Sequence, residues 1–368
     1  MTRLSDYSDQ YGGFYAPGFV VAVDGRSLVE QLAIAVSQVE VDLKLGVAGH
    51  FSFTVIDTFD ITKRAFISGY DQPVLEILKF GAKVDIKLGY GDHAHLTQMM
   101  TGIITEITTS FSEGGTPELS VSGYDSLFLL TLGKRSRSWK QQKDSDVVSL
   151  VAKDYNLATV IQTTGEQHAQ VEQNQESDAD LLKKLAERNY FKYYVDEQGT
   201  LHFAEPNNKA PGVVTLSWGE SLLSFKPEAN LAAQVSAVEV YGWDPNSKQA
   251  IVGKARAGEE SGKDPSRNTG GQRIRRALNR DAVLQVRQPV FTQAEATRRA
   301  QAILDDHAKN FLTGDAECIG LPDLRPDMNI TLGNLGAPFS KTYYLQEATH
   351  KVDGNGYRTT VKVQETSL

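Results

Sequence analysis

The sequence predicts a β-rich α+β protein in which two related β domains flank a small α+β module. Three observations support this prediction. Apolar and polar residues alternate with a period of two in many segments of residues 17–130 and 212–368, as is typical of half-buried antiparallel strands. Helical periodicity is clearest between these two regions. The second region also repeats a succession of strands found in the first.

The composition is that of an ordinary globular protein. A length of 368 residues fits two to four domains at about 100–200 residues each. Hydrophobic residues make up 40% and charged residues 23%, which excludes a wholly disordered chain. A single cysteine, Cys318, excludes an intrachain disulfide and a four-thiolate zinc site. The net charge of −8 argues against a general nucleic-acid binder.

The sequence gives no sign of membrane insertion or secretion. No apolar stretch approaches the roughly 18–20 residues that a membrane span needs. The N-terminus has no apolar core of the kind found in a secretory signal. We therefore expect cytoplasmic synthesis without a signal peptide.

The N-terminal arm, residues 1–16, carries aromatic rings separated by polar residues: Tyr7, Tyr11, Phe14 and Tyr15. An extended segment of this kind cannot bury its rings alone. We expect it to become ordered on a neighbouring molecule, and Tyr11, Phe14 and Tyr15 are candidate partner contacts.

The first β domain is predicted over residues 17–130, as a barrel or a sandwich. Its strand signals lie at 18–24, 39–45, 51–55, 84–88, 102–111 and 118–123.

The predicted α+β module spans residues 131–211. It opens with a basic run in which Lys134, Arg135, Arg137, Trp139 and Lys140 are candidate contacts for an acidic protein partner. A helix is predicted from Ser177, whose hydroxyl can cap the amide of Asp180. A hairpin turning at Gly199 follows it.

The second β domain is predicted over residues 212–368. It contains a long polar loop, residues 257–272, which we expect to be mobile in the isolated chain and, like the arm, ordered on assembly. A helix is predicted over 292–312, with Thr292 and Glu295 placed as a capping box. Between loop and helix lies a second basic cluster of candidate partner contacts: Arg273, Arg275, Arg276 and Arg280.

Similar strands recur in the two β domains in the same order. Residues 84–89 (VDIKLG) resemble 328–333 (MNITLG), and 105–108 (TEIT) resemble 346–349 (QEAT). Each series then enters a glycine turn and a final alternating strand. The ordered succession favours duplication of one β domain over chance similarity of hairpins.

No catalytic, cofactor-binding or metal-ligating set emerges from the sequence. The His93-Ala94-His95 pair lies in a polar turn, and residues 258–263 lack the spacing and hydroxyl of a phosphate-binding loop. Cys318 has no catalytic motif around it. We therefore predict no enzyme and no cofactor. Two alternatives stay open: a glycan (peptidoglycan) hydrolase with a carboxylate pair, and a nucleic-acid-binding module that uses the arginine clusters.

Several motifs resemble the phage late control gene D family. That family comprises the baseplate hubs of contractile tails and the N-terminal part of VgrG spike proteins. The similar segments are Gly123-Tyr124-Asp125, 175–203 (QESDADLLKKLAERNYFKYYVDEQGTLHF), 240–245 (VYGWDP), 320–326 (GLPDLRP), 343–345 (YYL), His350 and 356–359 (GYRT). Together they cover roughly residues 15–368 in the family's order.

The resemblance implies two tube-like antiparallel β-barrels per chain and a homotrimer. Three chains with two similar domains each would present six near-equivalent positions, so that a sixfold inner tube could sit on a threefold spike. The implied function is a structural baseplate hub that templates tube assembly, in a virion or an injection particle. The implied partners are the inner tube protein, a separate spike protein, baseplate wedge or sheath-proximal proteins, and cargo in the bore. Neither a membrane nor a specific nucleic acid is expected as a partner.

Overall fold

A continuous thirteen-stranded sheet forms the centre of the molecule. The computed structural model describes residues 7–8, 10–244, 248–290 and 292–368. The first six residues of the arm and Pro245 of the 240–245 motif lie outside the described residues. The β-rich α+β fold class predicted from the sequence is confirmed.

Alternating burial produces the strands of the first β domain. Phe51, Phe53 and Val55 are buried, whereas Ser52 and Thr54 lie on the opposite face. The elements of this region are β1 (Pro17–Val23), β2 (Arg26–Ser27), β3 (Ala35–Lys44), β4 (His50–Ile56), β5 (Phe59–Asp60), β6 (Ala65–Phe66), α1 (Val74–Ile77), β7 (Lys83–Tyr90), β8 (Thr97–Ser110) and β9 (Glu118–Tyr124).

The central module mixes short helices with small sheets around its own apolar core. As predicted, the Ser177 hydroxyl accepts a hydrogen bond from the Asp180 amide (3.0 Å). The basic run forms a strand. The elements are α2 (Leu127–Leu130), β10 (Arg135–Lys143), α3 (Asp144–Asp154), β11 (Thr159–Ile161), β12 (Gln167–Glu176), α4 (Asp178–Asn189), β13 (Lys192–Val195) and β14 (Leu201–Ala204).

The C-terminal region contributes strands to two different sheets. Its elements are β15 (Thr215–Ser217), β16 (Leu222–Ala229), β17 (Ala237–Asp244), β18 (Gln249–Arg256), α5 (Gly270–Leu278), β19 (Val283–Arg287), α6 (Gln293–Ala308), β20 (Leu312–Ile319), β21 (Asn329–Gly333), β22 (Lys341–Asp353) and β23 (Gly356–Glu365). Strands β17, β18 and β19 form a separate sheet under α6. Gly253 permits this packing, because a Cβ there would lie 2.1 Å from the backbone of Ala296.

The central sheet runs in the order β16-β20-β23-β22-β3-β4-β9-β8-β7-β1-β2; off this path, β21 pairs with β22, and β15 pairs with β21. The two β regions are thus joined edge to edge, through antiparallel pairing of β3 with β22. One apolar core is shared by both regions.

The polar loop at 257–272 is packed onto α6 in the structure. Glu260 is buried, and the Ser261 amide donates a hydrogen bond to Asp305 on α6 (2.8 Å). The last residues of the loop form the start of α5. The Thr269 hydroxyl caps this helix by accepting a hydrogen bond from the Gln272 amide. The helix predicted over 292–312 ends at Ala308, because the chain from Leu312 enters β20.

The arm also packs within its own chain. Tyr11 is buried, its ring lies 5.9 Å from that of Tyr90, and its hydroxyl donates to Asp323 Oδ2 (2.6 Å). Phe14 meets the same Tyr90 ring edge-on at 5.4 Å. The expectation that these rings need a neighbouring molecule is therefore wrong for Tyr11 and Phe14. Of the three predicted contacts, Tyr15 is left exposed.

Candidate assembly interface

The two β regions repeat one arrangement of four strands. In the first, β8 pairs with β9, β9 with β4 and β4 with β3. In the second, β22 pairs with β23, β23 with β20 and β20 with β16. All of these pairs are antiparallel. The internal duplication expected from the sequence is thus present in the topology.

Matching β-bulges fix how the two repeats align. A bulge falls between Ile104 and Glu106 in β8, and another between Leu345 and Glu347 in β22. This alignment agrees with the sequence match of 105–108 to 346–349. The match of 84–89 to 328–333 is wrong by two residues. The pairing of β7 with β8 and of β21 with β22 makes Lys83 the structural equivalent of Asn329. A two-residue shift keeps the same face of the strand, so the hydrophobic pattern concealed it.

The paired strands β3 and β22 join the two repeats, and we call this pairing the seam. Its two faces carry different side chains. On one face, Lys44 lies 3.6 Å from Glu347, and the Thr349 hydroxyl donates to Asp42 (2.5 Å). On the other face, the β22 side chains of the seam, including Val352, are buried. The seam shows how two repeats of this fold join edge to edge.

The first basic cluster is partly neutralised inside the module. Arg137 forms ion pairs with Asp154 (2.7 Å) and with the buried Asp178, and its guanidinium lies 5.0 Å from the Trp139 ring centroid. Arg135 reaches both carboxylates as well. These residues hold β10 against α3 and α4.

Lys134 and Lys140 are exposed at the ends of the same cluster, and no ion pair joins either to another described residue. They are the members of the first cluster whose charge is available to a partner.

The second basic cluster lies on α5 and the turn after it. Arg273 donates to the carbonyl of Leu368, and Arg275 pairs with Asp281 (2.9 Å). Arg276 and Arg280 are exposed and border a shallow concave surface with Arg275. Of the four arginines in this cluster, Arg273 is therefore engaged by the C-terminal residue of its own chain, and the other three are exposed at the surface.

The structure places the single cysteine and the surface histidine His93 in different environments. Cys318 is buried, and burial raises the pKa of its thiol to about 12, so it stays protonated at neutral pH. His93 contacts Glu30 on the surface (2.6 Å). Within the ranges that the structure describes, no three His, Cys, Asp or Glu side chains are grouped to hold a metal ion.

None of the helices in the described part of the chain is long and apolar enough to cross a membrane.

The sequence did not identify Asp42 and Thr349 as seam residues. The repeat could have pointed to them, since its 346–349 segment runs along the seam.

The fold is that of phage tail proteins and of a type VI secretion component. The 43 kDa tail protein of prophage MuSo2 from Shewanella oneidensis superimposes with a TM-score of 0.71 at 15% identity, covering 95% of this chain and 98% of that one. A tail protein from Neisseria meningitidis MC58 gives 0.68 at 15% identity, covering 95% and 97%. An E. coli type VI secretion component gives 0.57 at 11% identity, covering 94% and 77%. The resemblance to the hub family is confirmed at the level of the fold.

A family model described as the Alg8 N-terminal domain matches residues 16–354, and the chain belongs to that family. A comparison with curated proteins gave no significant match.

Proposed function

We propose that this protein is a structural baseplate hub of a contractile tail or injection system. In this role three chains form a ring that adapts a sixfold inner tube to a threefold spike. The fold shared with phage tail proteins supports this proposal. The protein would act by presenting surfaces rather than by catalysing a reaction.

The observation that carries the proposal is the repeat and its seam. Strands β3 and β22 join two copies of one four-stranded unit into a continuous sheet. Three chains would supply six such units, which matches the symmetry of a sixfold tube while leaving threefold symmetry for a spike. The division into arm (1–16), first barrel (17–130), module (131–211) and second barrel (212–368) is part of this proposal.

Exposed charges mark the surfaces proposed to meet partners. Lys134 and Lys140 lie on the module, and Arg276 and Arg280 lie on α5. Because both pairs are cationic, the partner surfaces facing them are expected to be acidic. The proposed partners are an inner tube protein, a separate spike and the surrounding baseplate proteins, with cargo in the bore.

Electron microscopy of the purified chain tests the proposed ring. Averaged end-on views should show six lobes with threefold symmetry around a central opening. A particle with one pair of lobes, at every concentration examined, would contradict it.

A further inference from the structure

A cleft of about 570 Å³ lies where the central module meets α6 and the central sheet. We infer that this cleft binds a short peptide segment that carries a carboxylate next to an apolar side chain. The volume falls within the range of about 300–1,000 Å³ that is typical of sites for small ligands. One chain forms the whole cleft, so the inference does not depend on the proposed ring.

Arg299 on α6 gives the cleft a guanidinium that lacks a carboxylate partner. Its Nε donates to the Gln288 side chain (2.6 Å) and its Nη1 to the Glu187 carbonyl (3.3 Å), and no carboxylate in the described ranges forms an ion pair with it. The next residue, Arg298, does have such a partner in Glu166. Burial lowers the pKa of Arg299, and a bound carboxylate would offset this cost through paired N–H···O bonds.

The charges around the cleft favour an anionic ligand. Four cationic and two anionic side chains line it. Two of the cations are already paired, Lys192 with Asp327 and Lys309 with Asp306. This leaves two cations, Arg299 and the exposed Lys183 of α4, and one anion, Glu187, none of which forms an ion pair within the part of the chain that the structure describes. A carboxylate is therefore attracted to this cleft more than a cation is.

Two glutamine side chains supply groups that suit a peptide backbone. Gln346 is the extra residue of the bulge in β22, and a bulge turns a side chain out of the alternation of its strand. Gln364 lies on β23, opposite Tyr344. Both line the cleft, and neither side-chain amide is hydrogen-bonded to another described residue. Each amide offers donors and an acceptor, as the peptide unit does.

Aromatic and aliphatic side chains form the apolar part of the wall. Tyr190 ends α4 with a left-handed backbone (φ 56°), and this turn leads into β13, so that Phe191 and Tyr193 also line the cleft. Ile303 faces them from α6. An apolar side chain of the ligand would be removed from water against these rings.

The Tyr190 hydroxyl is a further donor for the carboxylate. Burial raises the pKa of this hydroxyl, so it stays protonated at neutral pH. It makes no hydrogen bond to any other residue that the structure describes, whereas the Tyr193 hydroxyl is used by the Gly46 carbonyl (2.6 Å). The cleft thus combines a cation, a hydroxyl, two amides and an apolar wall.

Isothermal titration calorimetry of the full chain with acetyl-Ala-Phe, which has a free carboxyl end, tests the site. Binding is expected, and the amide of the same peptide should bind at least about 10-fold more weakly, because the charged hydrogen bonds are lost. Acetyl-Asp-Phe amide carries the charge on a side chain instead and shows whether the recognised carboxylate is internal or terminal. Inorganic phosphate is the control for a mere attraction of anions and should bind more weakly than the peptide.

Variants at two adjacent arginines assign the binding to the cleft. Arg299→Gln should lower the affinity at least about 10-fold. Arg298→Gln is the matched control, since this side chain does not line the cleft, and should bind as the unaltered chain does. Lys183→Gln changes an exposed residue, so the fold is kept even if Arg299→Gln fails to fold. We expect it to weaken binding about 3-fold at low salt and less at high salt.

Three results would overturn the inference. They are equal binding of the acid and its amide, phosphate binding as tight as that of the peptide, and unchanged affinity in both Arg299→Gln and Lys183→Gln. No binding of either charged peptide up to about 10 mM would overturn it as well. Each of these results leaves the proposed ring standing, because the mass of the particle is measured without the peptide.

Discussion

His350 and Tyr357 are hydrogen-bonded to each other across the β22–β23 hairpin, with His350 Nδ1 2.9 Å from the Tyr357 hydroxyl. Nε2 of the same ring donates to the Leu324 carbonyl (2.8 Å), so Nδ1 accepts from the tyrosine. Both side chains are buried. Two residues of the hub-family motif are therefore structural, and they fix the hairpin that borders the seam.

The His350 ring makes stability depend on pH. Burial lowers its pKa to about 3, against about 6.5 in an unfolded chain. Between these values the unfolded chain binds a proton that the native ring does not, so stability is lost as pH falls below 6.5, by up to about 1.4 kcal/mol per pH unit. Urea unfolding at pH 7.5 and 5.0 measures this. The pH dependence should shrink in His350→Gln and persist in the exposed control His95→Gln; equal dependence in all three proteins would contradict the assignment.

Gly123, of the Gly-Tyr-Asp motif, has no room for a side chain. A Cβ there would lie 1.9 Å from the Ile103 carbonyl oxygen and 2.7 Å from the Phe51 ring. We expect Gly123→Ala to lower the free energy of unfolding by at least about 2 kcal/mol, as overpacked cores do. Gly115→Ala is the control, because its Cβ meets only ordinary contacts. Similar denaturation midpoints for the two variants would refute the steric argument.

The arm should be anchored by Tyr11 and not by Tyr15. Tyr11→Phe removes a hydrogen bond to a carboxylate and is expected to cost about 1.5–3 kcal/mol. Tyr15 is 81% exposed, so Tyr15→Phe should leave stability unchanged. Hydrogen exchange in the arm of the isolated chain distinguishes the variants: faster exchange is expected for Tyr11→Phe alone. Fast exchange in the unaltered arm would restore the view that it is ordered only on assembly.

The first basic cluster should separate into a stabilising and a binding part. Arg137→Ala leaves Asp178 buried with fewer partners, and we expect a loss of about 2–3 kcal/mol, since Tyr155 and Gln173 still donate to that carboxylate. Lys140→Ala should change stability by less than about 0.5 kcal/mol.

The second measurement for this cluster is binding to the tube and spike proteins. Lys140→Ala is expected to weaken this binding at low salt. A stability loss in Lys140→Ala as large as that in Arg137→Ala would contradict this division.

Period-two alternation predicted the strands of the central sheet well, because one face of each is buried. It was silent on β12, whose residues are polar apart from Ala169 and Val171. Helix α5 was missed because it begins with two glycines at the end of a polar loop. Pairing with β10, distant in sequence, determines β12, whereas α5 did have a local signal, the capping box of Thr269 and Gln272.

The sequence predicted the basic clusters and the repeat, and the structure showed which of the charged side chains are already paired. Sequence showed the arginines of the first cluster but not the carboxylates of Asp154 and Asp178 that pair with them. Charge density in a sequence does not reveal which charges are already paired. The repeat, by contrast, was visible in the sequence and led to the seam.

The absolute mass of the purified chain in solution, measured by light scattering across a dilution series, tests the central claim most directly. The proposed ring predicts a particle of about 121 kDa, from three chains of 40.4 kDa. A mass of 40.4 kDa at every concentration would contradict a ring that this chain forms by itself.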